Sequence, residues 1–183
     1  MPGPFAYGIA SNAQLITVQP PLQGLLLKTI QIANISIVQG TRTVEQQIIN
    51  IRNEASKTLD SRHIPRDAEG NYDPLLLAGA FDFKPYQKGV NAYALESDSK
   101  MERMKKKARF YHAQGIILAY AEAEGIEIRQ GVDWSGDGDF MDQSFDDLGH
   151  VELRIPFPKL IVTGDLLEQA NEALLARGLP AYG

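Results

Sequence analysis

Two histidines and an aspartate, far apart in the chain, have the side chains best suited to chemistry. His63 ends the stretch "SRH", Asp82 lies within "GAFDF", and His150 opens the alternating stretch "HVEL". Two imidazoles and one carboxylate are a familiar ligand set for a catalytic zinc ion, with the fourth position left to water. The chain contains no cysteine, so any zinc site in it must be built from His, Asp or Glu.

Asp147 precedes His150 by three residues and has the chemistry of a proton carrier. Zinc lowers the pKa of a bound water, and a nearby carboxylate must then accept the proton and pass it to the leaving amine. A short turn would place Asp147 beside the metal without making it a ligand. Taken singly, each histidine is more often an ordinary surface or core residue. Asp82 favours the metal interpretation, because strands disfavour Asp and a buried Asp needs a partner.

The stretch "DWSGDGDFMD" has the spacing of a calcium-binding loop. Gly138 occupies the position of the sharp turn in an EF-hand, whereas Ser144 stands at the twelfth position, where an EF-hand has an acidic residue. The stretch is either a solvated acidic turn or a calcium site whose ion orders the loop and so positions Asp147 and His150. Its candidate ligands are Asp133, Ser135, Asp137, Asp139 and Asp142.

The pattern of apolar residues predicts an α+β fold, a small antiparallel sheet flanked by helices. Short β-branched or alternating stretches predict strands at "ISIVQG", "GAFDF", "IEIRQG" and "HVELRI". An N-terminal arm is expected to end at Pro20-Pro21, where a first helix begins. Thr43 with Gln46, and Ser99 with Glu102, are capping-box pairs that predict two further helices.

Helical spacing also predicts which face of each helix is buried. In the first helix, Leu22, Leu25, Leu26, Ile30 and Ala33 share one face. In the long helix after Ser99, the predicted buried residues are Met104, Ala108, Tyr111, Gly115 and Leu118. In the C-terminal helix they are Leu166, Ala170, Ala173 and Leu174. His112, on the long helix, is interpreted as a structural or surface residue.

Length and charge limit the classes of function. The 183 residues suit a single domain, 1–183, with a core over about 10–158 and a C-terminal helix over about 164–178. A net charge of -5 disfavours nucleic acid or an anionic membrane as the main partner. The N-terminus lacks the pattern of a secretory signal, and the most apolar stretch is too polar to cross a bilayer. We expect a monomer that is made in the cytoplasm and does not insert into membranes.

Four segments, in order, resemble a family of zinc peptidases related to D-Ala-D-Ala carboxypeptidases, with their Hedgehog-like fold. The closest likeness is to the L-alanyl-D-glutamate endopeptidases that serve as phage endolysins. The resemblance covers roughly residues 10–155, and its segments are "VQGTRTVEQQ", "SKTLDSRH", "GAFDFKPY" and "GVDWSGDGDFMDQSFDDLGHVEL".

The resemblance implies a role for each matching residue. His63, Asp82 and His150 would hold zinc, and Asp147 would act first as general base and then as general acid. Arg42 would bind a substrate carboxylate or the developing oxyanion, and Ser61 would support the site near His63. Some endolysins of this group respond to calcium through a loop similar to the acidic one described above.

The family implies a peptidoglycan hydrolase that cuts the stem peptide, most simply between L-alanine and D-glutamate, with a separate membrane-permeabilising protein giving access to the wall. Two alternatives stay open: a D,D-carboxypeptidase or dipeptidase of the same fold, and a non-catalytic metal-binding structural module. The chain departs from the family by the insertion at 64–78, which supplies Asp67 and Asp73 as rival ligands, and by Ala78 in place of a glycine.

Overall fold

The computed structural model describes residues 5–140, 142 and 147–183, which fall into two compact units. One unit comprises Met1–Gly40 and Ala80–Ile155, and the other comprises Thr41–Gly79 and Pro156–Gly183. None of the described helices combines the length and the apolar character that a membrane crossing requires.

The elements of the first unit are three helices and four strands among the described residues. In chain order they are α1 (Ile9–Leu15), α2 (Pro20–Thr29), β1 (Ile35–Gln39), β2 (Ala80–Pro85), α4 (Lys100–Glu124), β3 (Ile128–Gln130) and β4 (His150–Leu153), while α3 (Val44–Arg52) belongs to the second unit. All four predicted strands are present. Helix α1 was not predicted, since the sequence suggested only an N-terminal arm there.

The four strands form one antiparallel sheet in the order β1-β2-β4-β3. Because side chains alternate along a strand, the sheet has two chemically different faces. Phe81, Phe83 and Val151 are buried on one face. Asp82 and His150, which are cross-strand partners, lie on the other face. The predicted α+β class, a small antiparallel sheet with flanking helices, is confirmed.

The apolar face of the sheet packs against α4. Phe110 of α4 is 1% exposed, and its ring lies 6.0 Å from that of Phe83. The predicted face of α4 is wrong: Met104 is 57% exposed, and Ala108, Gly115 and Leu118 are also exposed. The buried residues of this helix are Phe110, Ala113, Gln114, Ile117 and Ala121. The predicted faces of α2 and of the C-terminal helix are confirmed.

The second unit is built on two helices that pack together, α3 (Val44–Arg52) and α5 (Gly164–Leu175). Both predicted capping boxes form, at Thr43 for α3 and at Ser99 for α4. The insertion at 64–78 belongs to this unit, where the N–H of Ile161 donates to the carbonyl of Gly70 at 2.8 Å. The buried core residues of the unit are Val44, Ile48, Ile51, Leu59, Ile64, Leu160, Ala170, Ala173 and Leu174.

The two candidate faces of α4 can be compared by alanine substitution. Phe110→Ala is expected to lower the free energy of unfolding by about 3–5 kcal/mol, because it removes a large ring from a packed core. Met104→Ala, on the exposed face, is expected to change it by about 0.5 kcal/mol at most. Urea unfolding of both variants measures the difference, and equal losses would contradict the packing described here.

Candidate metal centre

The centre of the first unit's polar face is a hydrogen-bonded pair of side chains. The register of β2 and β4 sets Asp82 opposite His150, and directly opposite residues of antiparallel strands have neighbouring side chains. The imidazole Nδ1 of His150 lies 3.0 Å from Oδ1 of Asp82. His150 is 6% exposed, so the pair is largely screened from solvent.

Glu152 contacts the other nitrogen of the same imidazole. It lies two residues further along β4, therefore on the same face, and its Oε2 is 3.0 Å from His150 Nε2. Arg129 of β3, the cross-strand partner of Glu152, donates from Nε to its Oε1 at 2.9 Å. The His150 imidazole is therefore held between two carboxylates, and the carboxylate of Glu152 is also hydrogen-bonded to the Arg129 guanidinium.

The pKa values follow from these contacts. Burial alone would lower the pKa of His150, but hydrogen bonds and charge from Asp82 and Glu152 prevail and raise the pKa to about 10. Burial would likewise raise the pKa of Glu152, but its bonds with His150 and Arg129 hold that pKa below its usual range. Glu152 is therefore an ionised, buried carboxylate at neutral pH.

Trp134 covers the face of the His150 ring. The two rings are stacked, with centroids 5.2 Å apart and an interplanar angle of 30°. The Arg129 guanidinium lies 5.1 Å from the centroid of the Trp134 ring, a distance typical of a cation–π contact. Trp134 thus connects the acidic loop with the candidate ligand His150.

The acidic loop is organised around Asp133. Its carboxylate accepts hydrogen bonds from the N–H groups of Gly136 and Gly138, at 2.7 and 2.9 Å, and from the Ser135 hydroxyl. Burial raises the pKa of Asp133, but these bonds outweigh it and leave the pKa lowered. The carboxylate of Asp137 accepts the N–H of Asp139 at 2.9 Å. Asp142 is exposed, and Ser144 lies outside the described residues.

Asp147 begins a tight turn that leads into β4. Its N–H donates to the Gly131 carbonyl at 3.0 Å, and its carbonyl accepts the N–H of His150 at 3.1 Å. The buried amide of Gln114, on α4, donates to the carbonyl of Leu148 at 2.9 Å. The short turn expected between Asp147 and His150 is therefore present, and it is fixed through main-chain groups.

Two glycines allow this turn to approach the sheet. A Cβ at Gly131 would lie 2.3 Å from the Asp147 carbonyl oxygen, and one at Gly149 would lie 2.2 Å from that of Phe83. Both contacts involve main-chain atoms of neighbouring segments, which cannot rotate away. The site therefore needs glycine at both positions for close packing.

A cavity of about 220 Å³ opens in the first unit beside this turn. Asp82, Asp147, Val38 and Tyr93 are among its lining residues. Burial, followed by the charges of Asp82 and Asp147, raises the pKa of Tyr93, which places its hydroxyl in the field of both carboxylates. The cavity is large enough for a small segment of substrate and has acidic and aromatic walls.

In the second unit, His63 and Arg42 are both buried and are joined through the main chain. The N–H of Arg42 donates to the carbonyl of His63 at 2.8 Å, and the Ser61 hydroxyl accepts the N–H of His63 at 3.3 Å. Arg42 Nη1 donates to Oε1 of Gln47, on α3, at 2.6 Å. The candidate substrate arginine therefore has a fixed orientation.

The three candidate metal ligands are divided between the two units. Asp82 and His150 are neighbours in the first unit, and His63 is a buried residue of the second unit. The rivals Asp67 and Asp73 accept hydrogen bonds within their own turns, from Asn71 and Leu75 respectively. His112 is exposed on α4.

Sequence reasoning missed Glu152 and Tyr93. Glu152 follows His150 at strand spacing, so its place on the same face was open to prediction, but a Glu in an alternating strand usually faces solvent. Tyr93 lies in a segment without periodicity, and no local signal connects it with Asp82 or Asp147.

Close packing at Gly131 can be tested against a second glycine. Gly131→Ala is expected to destabilise the fold by about 1–3 kcal/mol, because the added methyl overlaps the Asp147 main chain. Gly115→Ala is the matched control: nothing lies within 4 Å of a Cβ there, and Ala stabilises a helix by about 0.5–1 kcal/mol relative to Gly. Thermal unfolding measures both, and a Gly131→Ala protein as stable as the control would argue against the close approach.

Comparisons with known proteins agree on one family. The family model described as phage L-alanyl-D-glutamate peptidase matches residues 4–154. The L-alanyl-D-glutamate peptidase of Escherichia phage T5 is 32% identical over 158 residues, which span 81% of this chain and 98% of that protein.

A solved structure extends the likeness to the fold. The crystal structure of an L-Ala D-Glu endopeptidase from Serratia marcescens matches with a TM-score of 0.56 and 19% identity, over 81% of this chain and 90% of that one. At this identity the match establishes the fold alone, and it confirms the predicted fold class. The family predicted from four sequence segments is likewise confirmed: this chain belongs to the phage L-alanyl-D-glutamate peptidase family.

Proposed function

We propose that this protein is a zinc-dependent peptidoglycan hydrolase that cuts the stem peptide between L-alanine and D-glutamate during phage-type lysis. The observation that carries the proposal is the buried pair of Asp82 and His150 in a chain of this family, with His63 as the proposed third ligand. Asp147 lines the same cavity as Asp82, where a proton carrier is needed. The related T5 protein is named for the same bond.

The donor set suits zinc. Two imidazoles and a carboxylate are ligands that zinc accepts, and tetrahedral zinc keeps neighbouring ligand atoms about 3.3 Å apart. The separation of 3.0 Å between His150 Nδ1 and Asp82 Oδ1 is close to that spacing. When bound, zinc would lower the pKa of a coordinated water and polarise the scissile carbonyl.

Asp147 is the proposed general base and then general acid. Its carboxylate would accept a proton from the attacking water and deliver it to the amine of D-glutamate as the peptide bond breaks. The turn that carries it begins three residues before His150, so that base and ligand lie on one short segment of the chain. Tyr93 lines the same cavity and offers a hydroxyl to the bound peptide.

Arg42 is the proposed substrate-binding cation, with Ser61 supporting His63 behind it. Gln47 holds the Arg42 guanidinium in one orientation, and a fixed cation stabilises developing negative charge without reorganisation. D-glutamate brings a carboxylate close to the scissile bond, which suits such a cation. The chain would act as a monomer on the cell wall, without nucleic acid or membrane insertion, after a separate permeabilising protein opens the membrane.

Metal content and lysis together test the function. The native protein is expected to hold one zinc per chain and to clear a suspension of purified peptidoglycan. His150→Ala should lose zinc, whereas Asp147→Asn should keep zinc and lose lysis by about 10²–10⁴-fold, because only the proton carrier is removed.

Matched controls are His112→Ala and Asp165→Asn, which make the same chemical changes at exposed residues and should match the native protein. Product masses identify the bond and separate an endopeptidase from a D,D-carboxypeptidase or dipeptidase. A native protein without zinc, or undiminished lysis by Asp147→Asn, would contradict the proposal, and zinc without turnover would indicate a structural module.

Calcium is the second proposed cofactor, at Asp133, Ser135, Asp137, Asp139 and Asp142. The lowered pKa of Asp133 supports an ionised ligand at the first position of the loop. Because Trp134 follows Asp133 directly and stacks on His150, an ion that orders the loop would also steady this ligand.

Calcium is expected to raise the melting temperature of the zinc-loaded protein, because an ion that binds only the folded state stabilises it by mass action. Asp133→Ala should abolish the increase, and Asp165→Asn should preserve it. Differential scanning calorimetry with and without calcium measures both, alongside lysis. If calcium alters neither stability nor lysis in the zinc-loaded native protein, the loop is a solvated turn.

A further inference from the structure

The imidazole of His150 is held at both nitrogens, yet a neutral imidazole can bind a metal through only one of them. Nδ1 faces Asp82 and Nε2 faces Glu152, each at 3.0 Å. In a metal-bound histidine, the nitrogen that does not bind the metal carries a proton and donates it to a partner. The two carboxylates therefore decide which nitrogen is left for the metal.

Glu152 is placed to accept a hydrogen bond from His150. It is 5% exposed, and its Oε1 already accepts a hydrogen bond from Nε of Arg129, which favours the acceptor role of the carboxylate. Its Oε2 is directed at Nε2 of the imidazole. Asp82 faces Nδ1 at the same distance, so the nitrogen that keeps its hydrogen depends on which carboxylate binds the metal.

Asp82 differs from Glu152 in what else it does. Its carboxylate lines the cavity beside the turn of Asp147, where the metal is proposed to bind, whereas Glu152 is not among the lining residues of that cavity. A carboxylate that accepts a hydrogen bond from the nitrogen of a ligand histidine that does not bind the metal is a frequent arrangement around metal sites. This difference points to Asp82 as a metal ligand and to Glu152 as the residue that orients the ligand His150.

The ring plane is fixed as well as the tautomer. Trp134 stacks on the imidazole, and Arg129 contacts both the Trp134 ring and the carboxylate of Glu152. The four side chains form a closed ring of contacts, so that rotation of His150 would break a hydrogen bond and a stacking contact together.

We propose that Glu152 is a positioning residue for the metal centre: it accepts the Nε2 proton of His150 and so presents Nδ1 as the ligand atom, with Arg129 and Trp134 holding the arrangement in place. This inference rests on the proposed zinc site. It adds a residue and a ligand atom that neither the sequence nor the family match identifies.

A purely structural role is the competing explanation. Glu152 and Arg129 form a buried cross-strand ion pair, and such a pair could serve only to hold β3 against β4. The two explanations differ in their consequences for zinc. A structural pair predicts lost stability at unchanged zinc affinity, whereas a positioning residue predicts weaker zinc binding even where the fold is intact.

The test is zinc affinity, measured by competition with a chromogenic chelator on the full chain. Glu152→Ala is expected to weaken zinc binding about 10–100-fold, the usual effect of removing an outer partner of a ligand histidine. Glu152→Gln keeps the shape and one acceptor oxygen, so it should fall between Glu152→Ala and the native protein. Glu127→Gln, at an exposed glutamate just before β3, removes the same charge and should leave affinity unchanged.

A second readout identifies the ligand atom directly. Nitrogen-15 NMR of the zinc-loaded native protein is expected to show the His150 proton on Nε2, and circular dichroism of the metal-free variants verifies that they fold. The inference would be overturned if folded Glu152→Gln and Glu152→Ala bind zinc with an affinity within twofold of that of Glu127→Gln, or if the His150 proton lies on Nδ1. Either result would leave the proposed zinc hydrolase intact. A native protein that binds no zinc would overturn both.

Discussion

The register between β2 and β4 is the constraint on which the rest of the first unit depends. It sets Asp82 opposite His150 on one face and Phe81 opposite Val151 on the other. A slip by one residue would turn every side chain of a strand to the opposite face, which would expose the phenylalanines and separate the candidate ligands. The apolar core therefore fixes the same register that brings the polar groups together, and folding and site geometry have one determinant.

The sequence predicted the strands because their alternation is local, and it singled out Asp82 because Asp is rare in strands. The metal-ligand role of Asp82 stays a prediction. Prediction from the sequence failed where the outcome depends on distant partners. Helix α4 offers more than one plausible apolar stripe, and the ring of Phe83 on another element selects Phe110 rather than Met104. Helix α1 has an exposed Ile9 and few buried residues, so its pattern is weak. Glu152 was missed because its role depends on contacts with Arg129 and His150 that only the folded structure shows.

The insertion at 64–78 separates His63 from Asp82 in the chain, yet it is held by defined contacts. Gly70 approaches the carbonyl of Lys159 so closely that a Cβ would lie 2.2 Å from it, and Arg66 donates to the carbonyl of Pro158 at 3.0 Å. The partner of the insertion is thus the segment after Ile155, which lies beyond the residues 4–154 matched by the family. Loop closure entropy rises slowly with length, and these contacts offset it, so His63 keeps a buried and defined position.

His150 and Asp147 are held in different ways, and the difference suits their proposed roles. His150 is fixed at both ring nitrogens and on its ring face, as a metal ligand must be, because its lone pair has one productive direction. Asp147 is anchored through its main-chain N–H and carbonyl, which fix the position of its Cα. A proton carrier must reach the attacking water first and the leaving amine afterwards, so its carboxylate has to turn about a fixed point. Main-chain anchoring by Gly131 and His150 provides that fixed point.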